Sequence, residues 1–138
     1  MSDKNVFDVI DRYTKNKDCD LFFAADPNVL NAGSFIVRTS PWTAKFMERV
    51  YSLRNDATIP HISYWWEQAV IIHLLPQVKD HVCMVTTTDI DAYPDLPQYG
   101  QFRGRIAFWK KGDLVLHTPG SGFQTLVEYL AKTGNHEI

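Results

Sequence analysis

Three short segments of this 138-residue chain carry side chains whose types and spacing suit the handling of a polar ligand. In "LNAGSF" (30–35) Asn31 offers a donor and an acceptor on one short side chain, and Ala32 is small. Gly33 leaves the backbone open to close approach, and Ser34 adds a hydroxyl. In "WWEQA" Glu67 is an acid near the start of an expected helix, where the dipole favours its ionised form, and Gln68 is a neutral neighbour suited to sugar hydroxyls. In "GDLVLHTPGSG" His117 ends an expected strand, and Gly120 belongs to a glycine-rich helix entrance whose free N–H groups could receive a phosphate.

Each segment also has a plainer reading. Asn31 and Gly33 suit a turn entering a strand, Glu67 a solvated first-turn acid, and His117 a structural imidazole. "TDID" (88–91) sets two carboxylates at alternate positions that could grip a divalent cation, but the turn preferences of Asp favour a solvated acidic turn. Of the other histidines, His73 sits on an apolar helix stripe and reads as a core residue, His61 and His81 fall in polar connections, and His136 lies in the tail.

The elements that must position these groups follow from periodicity. Val6, Ile10 and Tyr13, with Asn5 as cap and Asp8 three residues on, predict an opening helix. "CDLFFAA" (19–25) and "GSFIVR" (33–38) read as strands covered on both faces. Ser40, Pro41 and the spacing of Trp42, Phe46 and Val50 predict a second helix ending near "LRND" (53–56). A third spans 63–75, capped by Ser63 and stopped before Pro76, with Trp66, Ala69, Val70, His73 and Leu74 on its buried stripe. "HVCMVT" (81–86) and "DLVLHT" (113–118) read as strands around the irregular loop "DAYPDLPQYGQFRG" (91–104), long enough to be functional. Phe123, Leu126, Val127 and Leu130 predict a last helix stopped by Gly134. The whole reads as an α/β layered domain with a mostly parallel sheet, whose ligands collect at the carboxyl ends of the strands.

The length fits one domain over 1–138, and the net charge of -2 gives no general attraction to nucleic acid or anionic lipid. Cys19 and Cys83 lie in apolar runs and read as free buried thiols in a reducing compartment. No segment has the length of a membrane span or the pattern of a signal peptide, so the chain as given reads as cytoplasmic.

Taken in order, "LNAGSFIVRTSPWTAKFMERVY", "WWEQAVIIHLL", "DAYP" and "GDLVLHTPG" resemble the galactosyl/mannosyltransferase family of fungal Golgi α-galactosyl- and α-mannosyltransferases and plant xyloglucan xylosyltransferases. The likeness runs from Asp20 to Gly120 and corresponds to the later part of that family's catalytic domain. It implies a partial GT-A sandwich without the N-terminal nucleotide-binding half. It also implies hexosyl or pentosyl transfer from a nucleotide sugar to a glycan hydroxyl, with retained configuration and Mn²⁺. On this resemblance Asn31, Ala32 and Gly33, assisted by Ser34, lie along the donor sugar. Glu67 is the reactive carboxylate with Gln68 beside it, His117 holds the metal with the diphosphate, and Gly120 is close to the phosphates.

Two departures stand out. Trp66 occupies a position where the family commonly has a second acid, and the family's Asp-x-Asp metal motif is absent upstream, with Asp91 aligned to an ordinary Asn of an Asn-x-Tyr-Pro loop. These departures suggest a homo-oligomer or a second chain completing the site. They also keep open a noncatalytic or truncated sugar-binding module acting through a partner. As a fragment of a type II membrane enzyme, the chain would belong in the Golgi lumen.

Overall fold

An apolar run without polar alternation needs cover on both faces, and the chain builds that cover around its first strand. The computed structural model describes residues 5–133. The elements are α1 (Val6–Thr14), β1 (Leu21–Asp26), β2 (Val29–Val37), α2 (Pro41–Ser52), α3 (Ile62–Val78), β3 (Val82–Val85), α4 (Thr87–Ile90) and α5 (Gly122–Thr133). Along β1, Leu21 and Phe23 enter one core with Leu30 of β2, Phe46 and Val50 of α2, and Val70 and Leu74 of α3. Phe22 and Ala24 point the other way, into a second core with Val9 of α1, Val85 of β3 and Ile90 of α4. Burying each of these large side chains contributes about 1.5–3 kcal/mol.

The sheet order is β2-β1-β3. β1 pairs antiparallel with β2 and parallel with β3, so this small sheet is mixed rather than mostly parallel. The reason is the short link: only Pro27 and Asn28 separate β1 from β2, which permits a hairpin and forbids the long crossover a parallel pair requires. The expected strand over 113–118 is also absent. Leu116 there makes one isolated parallel bridge to Ala92, and the surrounding backbone is irregular.

The helix starts follow their caps. Asn5 accepts from the Asp8 N–H at 2.9 Å, and Ser40 and Thr43 form a reciprocal capping box at α2. α3 departs from expectation at both ends. Its cap position is His61 with φ 63°, and Pro76 lies inside its last turn, where the helix has few bonds left to lose. His73, expected in the core, is exposed, as is Trp66. Gly134 and His136 lie outside the described residues.

The cysteine reading is corrected as well. Cys19 and Cys83 are joined as a disulfide, Cα atoms 5.7 Å apart, because β1 and β3 are neighbours that bring two distant apolar runs side by side. A bridge closing a loop of this length contributes about 2–4 kcal/mol in the chain-entropy view.

The "TDID" segment is neither a metal grip nor a solvated turn, since both of its aspartates are buried and they face different partners. Asp89 receives Arg12 Nη1 at 2.9 Å, the Tyr13 hydroxyl at 2.9 Å and the Thr86 hydroxyl at 2.7 Å, tying α1 to α4. Burial pushes its carboxyl up, but the hydrogen bonds from Thr86 and Tyr13 and the charge of Arg12 outweigh burial and hold it below the ordinary aspartate range. A depressed folded value means the ionised form stabilises the fold above the unfolded value of about 4, and that this support fades as pH falls through the folded value. In denaturant titrations Asp89→Asn is expected to be about 1–3 kcal/mol less stable at neutral pH, with the gap narrowing in acid. A gap independent of pH would contradict this role.

Candidate functional site

The ladder between β1 and β2 breaks once. Phe23 faces Phe35 but Ala24 faces Asn31, so Ala32, Gly33 and Ser34 bulge from the ladder without partners on β1. The Ala32 and Gly33 amides are met by side chains instead. Asn31 Oδ1 accepts the Gly33 N–H at 2.7 Å, a short local bond of the kind Asn makes in turns. Gln68 Oε1 accepts the Ala32 N–H at 3.0 Å. The other end of the Asn31 amide donates to the Tyr93 hydroxyl at 2.8 Å, which in turn donates to Asp26 Oδ2 at 3.1 Å. This chain of bonds fixes a buried amide whose two halves have separate duties.

Gln68 reaches β2 because α3 is kinked. Trp66 adopts φ 42°, ψ -115°, a conformation costly for any residue with a Cβ. It sends the Trp66 ring outward, 68% exposed, and a fresh helical run begins at Glu67. Glu67, next in sequence to Gln68, is exposed and takes no part in the hydrogen bonds at the bulge.

On the opposite side stands His117. Its N–H donates to Ala92 O at 2.8 Å, while the Ala92 N–H donates to Val115 O at 3.1 Å, so one rung of ladder pins the segment. His117 Nδ1 lies 2.5 Å from Asp91 Oδ1, with Asp91 0% and His117 27% exposed. The contact lacks the alignment of a hydrogen bond, and neither Asp91 oxygen meets a well-directed donor. Burial raises the Asp91 carboxyl above its ordinary value, His117 and the Ser34 hydroxyl counter this, and the charge of Asp26 adds to the rise.

The imidazole also lies against the bulge. A Cβ on Gly33 would stand 2.2 Å from His117 Cε1 and 2.8 Å from Nε2. Only glycine leaves room for the ring here. Asn31, Ala32, Gly33, Ser34, Gln68 and His117 are thus brought together, while Gly120 lies in the turn that follows, with φ 67° and open space where a Cβ would stand.

Sequence reasoning missed Tyr93 and Asp26, and it set Asp91 aside as part of a solvated acidic turn. Asp91 and Tyr93 both fall in "DAYP", two residues apart at the mouth of the long loop, and that placement was the available signal. Chemically the cluster offers a neutral amide pair, a backbone free of side-chain bulk, and an imidazole beside a buried carboxylate. One nitrogen and one carboxylate suit a divalent cation only as part of a larger donor set. Among the described residues no group of three His, Cys, Asp or Glu assembles.

Residues 2–125 match the galactosyl transferase GMA12/MNN10 family. An uncharacterised alpha-1,2-galactosyltransferase of Schizosaccharomyces pombe is 33% identical over 135 residues, covering 89% of this chain and 32% of the relative. The chain therefore spans about a third of the length of that curated relative. No solved structure matches.

The close approach at Gly33 yields a direct expectation. Gly33→Ala must displace the His117 ring, so its imidazole ¹⁵N and ¹H resonances should shift while the fold loses about 1–3 kcal/mol of stability. Histidine resonances identical to those of the parent chain would contradict the contact.

Proposed function

We propose, from the premise that this chain belongs to the galactosyl transferase GMA12/MNN10 family, that it carries the donor-sugar side of a glycosyltransferase site. The reaction moves a sugar from a nucleotide sugar to a glycan hydroxyl, with retention of configuration, on a partial GT-A scaffold. What supports the reading most is that three segments far apart in the chain, at 31–34, 68 and 117, meet on one bulge. Asn31, Ala32 and Gly33 would lie along the donor sugar, with the Ser34 hydroxyl assisting. The exposed Glu67 would stabilise positive charge developing on the sugar, or hold one of its hydroxyls, with Gln68 orienting the strand.

His117 would hold Mn²⁺ with the diphosphate of the donor, and Gly120 would lie near the phosphates. The buried Asp91, lacking a well-directed donor, adds negative charge next to that nitrogen, which favours a cation there. The metal, when bound, supplies neutralisation of the leaving diphosphate. The donor set would be completed by residues of a longer chain, a second copy or another subunit. The Cys19–Cys83 bond supports an oxidising lumen such as the Golgi over a reducing compartment. No helix among the described residues is long and apolar enough to cross a membrane. The short metal donor set favours one second reading, a noncatalytic sugar-binding module that acts through a partner chain.

Calorimetric titration with UDP-galactose, UDP-glucose, UDP-xylose and GDP-mannose, each with and without Mn²⁺, tests the proposal. One donor is expected to bind in a metal-dependent way, and His117→Ala to abolish the metal dependence. Glu67→Gln is expected to retain binding and lower transfer by about 10²–10³. Absence of binding by every donor contradicts the proposal, and binding without transfer leaves the noncatalytic module.

A further inference from the structure

Tyr93 also lines a cleft of about 300 Å³. Its wall includes Asn28 from the β1–β2 link, Gln98, Gln101 and Phe102 from the long loop, and Ser121 from the segment after His117. The buried Tyr99 also lines it, its hydroxyl donating to Pro119 O at 2.9 Å and lying 2.6 Å from the Ser121 hydroxyl. That hydroxyl is occupied, as is that of Tyr93. The side-chain amides of Asn28, Gln98 and Gln101, by contrast, have no hydrogen-bond partner among the described residues.

The chemistry of the lining restricts the ligand. No charged side chain lines the cleft, so a phosphate, a carboxylate or a polycation has no counter-charge to meet. Uncommitted amides both donate and accept, matching hydroxyl groups that do the same, and the half-buried Phe102 offers an apolar ring beside them. A neutral ring bearing several hydroxyls and one apolar face, a pyranose, satisfies all of these features.

The position is equally specific. Tyr93 stands between the cleft and the bulge. Its hydroxyl is bonded to Asn31, and its ring centroid is 5.4 Å from that of Tyr99 and 6.3 Å from that of His117. We infer that this cleft is a second sugar subsite, which binds a pyranose unit of the acceptor glycan next to the donor site. The inference rests on the proposed glycosyl transfer for the word acceptor, and on the cleft alone for the sugar.

The test is a titration of the intact ¹⁵N-labelled chain with methyl α-mannopyranoside and methyl α-galactopyranoside, followed through the side-chain amide resonances of Asn28, Gln98 and Gln101. One glycoside is expected to shift these resonances. Gln98→Ala/Gln101→Ala, exposed positions that leave the fold intact, should weaken it about tenfold while leaving UDP-galactose binding unchanged. Shifts confined to other parts of the chain, no shifts at all, or undiminished affinity in the double variant would each overturn the subsite. If the cleft binds the glycoside but no nucleotide sugar binds anywhere, the subsite stands as a glycan site and the transferase reading falls. If UDP-galactose binds and the cleft stays silent, the subsite alone falls.

Discussion

The site depends on a three-residue break in the pairing of two antiparallel strands. Had β2 kept register with β1 through Ala32, Gly33 and Ser34, alternate N–H groups would be spent in the ladder and successive side chains would point to opposite faces of the sheet. Bulging frees them, but a freed amide near a protein interior needs another partner. Asn31 and Gln68 supply two of them, and the missing Cβ of Gly33 lets the His117 ring close over the strand. The bulge is therefore held by the same residues that the proposed donor site would use.

Several features elsewhere serve that break. The kink at Trp66 interrupts α3 one residue before Glu67, which turns Gln68 toward the strand. The disulfide and the Asp89 network hold β3, α1 and α4 against β1, so the strand that the bulge leaves behind cannot drift. Tyr93 couples the two sides, bonded to Asn31 through its hydroxyl and packed edge-on against His117 through its ring. Asp91 places buried negative charge behind that imidazole, at a cost that the contacts of His117 and Ser34 only partly offset.

Much of this was legible in the sequence because it is local. The caps at Asn5 and Ser40 and the apolar strand at Leu21 to Ala25 follow from residue type and short-range spacing, and the same reading singled out Asn31, Gly33, Gln68 and His117, which the fold brings to one bulge. The remainder was hidden because it depends on pairing. The direction of β2, the meeting of Cys19 with Cys83, and the divergence of Asp89 and Asp91 toward different partners are set by which segments become neighbours. The kink at Trp66 was hidden for another reason: "SYWWEQAVIIHLL" has unbroken helical periodicity, and the pull of Gln68 toward Ala32 is a tertiary effect that overrides it.

The central claim, that the bulge and His117 form one metal-dependent donor site, is tested most directly by paramagnetic broadening. With Mn²⁺ and UDP-galactose added to ¹⁵N-labelled protein, the account predicts that broadening centres on the His117 imidazole and spreads first to the amides of Asn31, Ala32 and Gly33. Broadening centred on another acidic cluster, or a bulge left sharp while His117 broadens, would contradict it.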